Sequence, residues 1–278
     1  MGRDITFGQY YPTDSFIHKL DPRIKFLLMV AYIVAVFLVK NLFGFVAIAL
    51  WLLIVILVSK VPPLKVLKSL KAIIFIVIFT AVLNVFFNNS GKIFWQWRRI
   101  VISAGGIELA ITVMLRIVLL VGGTSMLTFT TTPMELTDGL ESLMTPLKWI
   151  KVPVHDIAII MNIALKFIPI LTEEVDKITM AQKARGASFD EGGLITRAKA
   201  LIPILIPLFV SAFRRADELA LALDARCYNA TPKRTKYKVL KPTWRDIIAT
   251  LFTAILVVIV VAVNNNFWGL VPPYSLWG

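Results

Sequence analysis

Two short stretches carry residue types that could do specific work: Ala181-Gln182-Lys183-Ala184-Arg185-Gly186 and Ala222-Leu223-Asp224-Ala225-Arg226-Cys227, a shared Ala-x-x-Ala-Arg-small pattern 41 residues apart. Alanines one helical turn apart leave a bare face that another backbone can approach. The arginine offers a planar fork of donors to a carboxylate, and in a last helical turn it also complements the helix dipole. Gly186 suits the left-handed residue that often closes a helix; Cys227 suits it less well. The chemistry is that of a docking plug. A solvated helix end is the better explanation of one such stretch alone; two copies on matched helices bring the two readings level.

Few other residues offer chemistry. His18 and His155 are the only histidines, no His-Glu-x-x-His pattern is present, and no glycine-rich loop runs into Lys-Ser or Lys-Thr to cradle a phosphate. The glycine pairs at 105, 122 and 192 lack the following lysine and read as turns or close helix contacts. Cys227 is the single cysteine, so no internal disulfide and no paired-cysteine metal site is expected. Arg116 stands inside an apolar run, where an ionisable group marks a functional position by default; a structural role is the leading expectation, by pairing with Glu108 two turns earlier or by snorkelling. Asn84 reads as polar glue between helices.

The elements that must position these residues are helices, most of them in lipid. Of 278 residues 58% are apolar, against roughly 45–50% in soluble domains; the mean hydropathy is +0.77. Charge-poor runs mark five spans, Phe26–Val39, Leu42–Ser59, Ala72–Asn89, Ile107–Phe129 and Ile247–Val263. The net charge of +13 fits a cytoplasmic excess of Lys and Arg better than nucleic-acid binding. Lys60, Lys65, Lys68 and Lys71 place the loop between spans two and three, and the N-terminus with it, in the cytoplasm. The tail Asn264–Gly278, free of charge but holding Trp268, Tyr274 and Trp277, then lies outside. Lys92, Arg98 and Arg99 conflict with that orientation unless Trp95 and Trp97 hold their loop at the interface. The first 23 residues do not resemble a cleaved signal peptide, so the first apolar helix is expected to act as its own insertion signal.

The chain therefore divides into residues 1–129 with four spans, 130–246, and 247–278 with the last span and an external tail. The middle part holds 17 of the 30 basic and 13 of the 17 acidic residues, which marks it as a cytoplasmic helical module. Breaks at Pro133, Pro146, Pro153, Gly192-Gly193 and Pro232 predict a short helix near 134–148 and long amphipathic helices near 154–185 and 194–226. Pro169, Pro203 and Pro207 are expected to bend the long pair. The fold class is all-α: a polytopic membrane protein with about five transmembrane helices and two long cytoplasmic helices.

On the paired triplets, and on the run Ser15-Phe16-Ile17-His18-Lys19-Leu20-Asp21-Pro22-Arg23-Ile24-Lys25, the chain resembles the energy-coupling factor (ECF) transporter transmembrane protein, the T component, over its whole length. In that run Asp21 can cap a helix with Pro22 at its first position. The resemblance implies an ATPase-coupling motif at Ala184, Arg185, Gly186, Ala225, Arg226 and Cys227. It implies as partners two ABC-type ATPase subunits and a substrate-binding S component in the membrane, with ATP and Mg bound by the ATPases and no cofactor in this chain. It implies a role in vitamin or micronutrient uptake at the prokaryotic cell membrane. Cys227 departs from the family's glycine.

Two other readings compete. A stand-alone permease would show inverted repeats of spans or charged, broken helices at the midplane. An intramembrane enzyme would need a nucleophile or metal cluster at facing depths. The sequence offers neither.

Overall fold

The structure is a computed structural model that describes residues 10–71, 73–87, 93–97, 100–187, 189, 193–228 and 242–265. Lys92, Arg98, Arg99, Gly192, Pro232 and the tail beyond Asn265, with Trp268, Tyr274 and Trp277, lie outside the described residues. Packing divides the chain into two compact units, one within Pro153–Leu240 and a larger one within Thr6–Val152 and Lys241–Gly278.

The larger unit is built from α1 (Pro22–Leu38), α2 (Leu42–Ser59), α3 (Pro63–Lys71), α4 (Ile74–Phe87), α5 (Ala104–Thr130), α6 (Pro133–Leu143) and α9 (Trp244–Asn264). A 3-10 turn follows α6 at Thr145–Ile150. The loop that sequence reading left between the third and fourth spans is an antiparallel hairpin, β1 (Ile93–Trp97) with β2 (Ile100–Ser103), pairing Trp97 with Ile100 and Trp95 with Ile102. It is the one β element among the described residues. Short runs of aromatic and β-branched residues fit a strand as well as an interfacial loop, so periodicity alone did not separate them.

The apolar pattern is turned outward, as lipid requires. Phe75 and Phe87 are 76% and 80% exposed, while Tyr32, Val36, Ile48, Leu119, Leu256 and Val260 form the buried seam. α1 and α5 run antiparallel in one register throughout: Lys25 Nζ donates to the Thr130 carbonyl at 2.9 Å, Tyr32 Oη to Leu119 O at 2.8 Å, and Arg116 Nη2 to Val39 O at 3.0 Å. Lys25 to Val39 and Arg116 to Thr130 are each 14 residues, about 21 Å of helix. The tight approach falls at Gly123, where a Cβ would lie 2.1 Å from the Tyr32 ring; the glycine pair there is a helix contact.

The Asp21 end of this bundle is tied by the motif singled out in the sequence. Asp21 caps α1 by accepting the Arg23 N–H at 2.9 Å, and Pro22 takes the first helical position. Lys25, buried, spans from the His18 carbonyl at 3.0 Å to that of Thr130. His18 Nδ1 lies 2.7 Å from Ser15 Oγ, and its Nε2 is 3.0 Å from the Tyr11 carbonyl. Burial holds this imidazole below its ordinary value of 6.5, outweighing the Tyr11 carbonyl that favours the charged form. Asp246, 1% exposed, accepts the backbone N–H groups of Asp21 at 2.8 Å and Thr243 at 2.6 Å, joining α9 to the start of α1 across 225 residues. At the other end, Asn41 Nδ2 donates to Val263 O at 3.2 Å.

α6 starts with a capping box, Thr132 with Glu135, and presses Gly139 against Pro22 and Arg23. It therefore belongs to the membrane unit, although its composition groups it with residues 130–246. The packing divides instead at Pro153.

The smaller unit is a pair of long helices, α7 (Val154–Ala184) and α8 (Leu194–Ala225), with Pro169 inside the first and Pro203 and Pro207 inside the second. By length and composition α2, α5, α7 and α9 suffice to cross a bilayer, and α3 with α4 makes a fifth if the two form one broken span. α7 qualifies because residues 154–171 carry only Asp156 and Lys166, its remaining charges being gathered after Leu171. α1, with 17 residues, is one short of that length yet keeps register with α5 from end to end.

Candidate functional site

The two arginine triplets close their helices with one backbone geometry. α7 ends at Ala184; Arg185 follows near φ −85°, and Gly186 turns left-handed at φ +89°. Gly186 N–H donates to Lys183 O at 3.0 Å and Ala187 N–H to Gln182 O at 3.0 Å. α8 ends at Ala225; Arg226 follows at φ −91°, and Cys227 turns left-handed at φ +53°. Cys227 N–H donates to Asp224 O at 2.9 Å and Tyr228 N–H to Leu223 O at 2.9 Å. Both ends are Schellman caps, a 6→1 bond enclosing a 5→2 bond. The expectation that Cys227 suits this position less well than glycine is met by a cysteine that adopts the conformation all the same.

The likeness extends inward. Glu174 and Arg215, themselves 41 residues apart, pair at 3.1 Å where α7 and α8 pack together. From each of these residues the chain runs 11 positions, about 16 Å of helix, to Arg185 or Arg226. The helices thus meet at equivalent positions and leave as arms of equal length. Ala181, Ala184, Arg185 and Gly186 are exposed, as are Ala222, Ala225, Arg226 and Cys227. Each tip is a bare alanine face beside an exposed guanidinium, whose planar fork suits a carboxylate.

Two of the remaining residues singled out from the sequence form hydrogen bonds within the bundle. Arg116 turns to the Val39 carbonyl and lies 5.9 Å from the Phe37 ring, closing the end of α1 rather than pairing with Glu108. Asn84 donates to the Thr80 carbonyl of its own helix at 2.9 Å, a bond within α4 and not between helices. Sequence reasoning missed Asp246, the buried tie between α1 and α9. Its signal was present as Thr243-x-x-Asp246 before an apolar run, the pattern of a capping box.

A helical bundle with its apolar residues turned outward and a unit of two long helices with twin exposed tips define a polytopic membrane protein. The profile of the CbiQ family, described as cobalt transport proteins, matches residues 13–237. The energy-coupling factor transporter transmembrane protein EcfT of Clostridium kluyveri is 50% identical over 270 residues, which cover 97% of this chain and 100% of that protein. The EcfT proteins of Ruminiclostridium cellulolyticum and Bacillus subtilis are 47% and 44% identical, over 96% and 86% of this chain and 100% and 90% of theirs. The chain belongs to this family of ECF transporter transmembrane proteins.

Proposed function

We propose that this chain is the non-catalytic coupling subunit of an ATP-driven uptake transporter, passing motion from two ABC-type ATPase subunits to a substrate-binding S component that carries a vitamin or another micronutrient. ATP and Mg belong to the ATPases. The observation that carries the reading is the pair of identical caps, each offering an arginine on an arm of equal length. In this reading each tip enters a groove of one ATPase, and the guanidinium meets a carboxylate there. Movement of the ATPases against one another displaces the tips, and the arms turn that displacement into rotation at the Glu174–Arg215 crossing. The N-terminus, the Asp21 end of the bundle and the coupling helices face the cytoplasm.

Co-purification tests the proposal. Reversing both Arg185→Glu and Arg226→Glu should abolish recovery of the ATPases from solubilised membranes, while either change alone should weaken it. A buried charge deprived of its partner costs roughly 3–5 kcal/mol. Lysine at the two positions should be milder without being neutral, because it keeps the charge and lacks the fork. The control reverses Lys177 and Lys199, exposed on the same helices. Full recovery with the double reversal, or equal loss with the control, would rule the tips out as anchors.

A further inference from the structure

We infer that the turn Thr145–Lys151 is an interfacial membrane anchor that reads anionic phospholipid. Trp149 and Ile150, at its crest, are 95% and 77% exposed, a large apolar pair that the rest of the unit leaves bare. Lys148 and Lys151 flank them. The turn is held in shape: Pro146 begins it, Lys151 closes it in a left-handed conformation at φ +61°, and Lys151 N–H returns to Lys148 O at 3.0 Å.

Its depth follows from α6. That helix begins just after Thr130, whose carbonyl binds Lys25, and at Gly139 it touches Pro22 and Arg23. Both fixed points lie at the level of the first turn of α1. α6 therefore runs across the end of the bundle rather than away from it, and the turn continuing it leaves the bundle sideways at the depth of the rim. Tryptophan beside an aliphatic residue suits the boundary between headgroups and acyl chains, and lysines beside it meet lipid phosphates. The division between the two compact units falls at Pro153, two residues beyond Lys151, so the anchor pins the membrane side of that junction.

The test uses the full chain in nanodiscs of phosphatidylcholine, with and without phosphatidylglycerol. Cys227→Ser removes the native thiol, and Ile150→Cys carries a nitroxide. The label should collide with oxygen more often than with a water-soluble nickel chelate, and its chelate access should fall further when phosphatidylglycerol is present. A label at Lys183→Cys, on an exposed helix end, supplies the aqueous reference. Chelate access equal to that reference would overturn the anchor, and so would shielding from both reagents, which would mean that protein covers the turn. The unlabelled chain gives a second readout. Quenching of tryptophan emission by brominated acyl chains should lose a component in Trp149→Phe, and unchanged quenching would also overturn the inference.

Discussion

Cys227 holds a left-handed conformation that its counterpart Gly186 adopts without a Cβ penalty, roughly 1–2 kcal/mol for an L-residue. Among the described residues nothing lies within 4 Å of where a Cβ on Gly186 would stand, so the difference there is one of backbone. Gly186→Ala should therefore speed amide exchange at the end of α7, and Cys227→Gly should slow it at the end of α8, each by an amount equivalent to about 1 kcal/mol; hydrogen–deuterium exchange of peptides covering 178–187 and 219–228 reads both. The opposite order would show that side-chain packing governs these ends. His18 gives a pH signature. Its folded value is depressed, so its contribution is complete above 6.5 and is lost as pH falls through the lowered value. Melting temperature should drop between neutral and mildly acidic pH in the wild-type chain and less in His18→Gln. The arginine tips were legible at this scale because a short pattern recurred. The acceptor for Arg116 was not, because a helix-end carbonyl becomes its partner only once α1 and α5 lie side by side.

Among the elements, α2 runs over the very residues that the charge-free stretch marks, Leu42–Ser59, and α7 and α8 end where the triplets say they should. Lipid makes this legible: a span shows as missing charge, and a proline or capping residue shows where it begins. What lay hidden is the interlock between helices, since small residues in an apolar run carry no sign of which neighbour they admit. Gly123 is the case in point. Gly123→Ala would drive a methyl into the Tyr32 ring, which is already stacked on Trp51 with centroids 5.1 Å apart. Overpacking of this kind costs about 1–3 kcal/mol, whereas Tyr32→Phe removes one hydrogen bond at about 1 kcal/mol. Thermal unfolding in detergent should rank the two in that order. Asp246→Ala should cost more than Tyr32→Phe, because it leaves the Asp21 and Thr243 N–H groups short of an acceptor in a buried site.

For the molecule as a whole, the proposed orientation is open to labelling in intact cells. Lys65 lies 3.9 Å above the Tyr11 ring at the Asp21 end, while Asn265 follows the last turn of α9 at the opposite end. In a Cys227→Ser background a membrane-impermeant thiol reagent should reach Asn265→Cys and spare Lys65→Cys; labelling of both from the same side would overturn the topology. Overall architecture was legible only as far as composition reports it. Residues 130–152 share the charge of the long helices but are packed with the spans, a matter that the fit of Gly139 on Pro22 decides and charge does not. One trait of the bundle bears on how it can move. The terminal carbonyls of Val39, Thr130 and Val263 are each met by a neighbour's side chain, from Arg116, Lys25 and Asn41. A spanning helix whose last carbonyls depend on water is confined to the depth where water reaches them. Here one such carbonyl at the end of each of three helices has a donor from the protein, so those three groups do not depend on water. A change of tilt in lipid would leave these three hydrogen bonds unbroken.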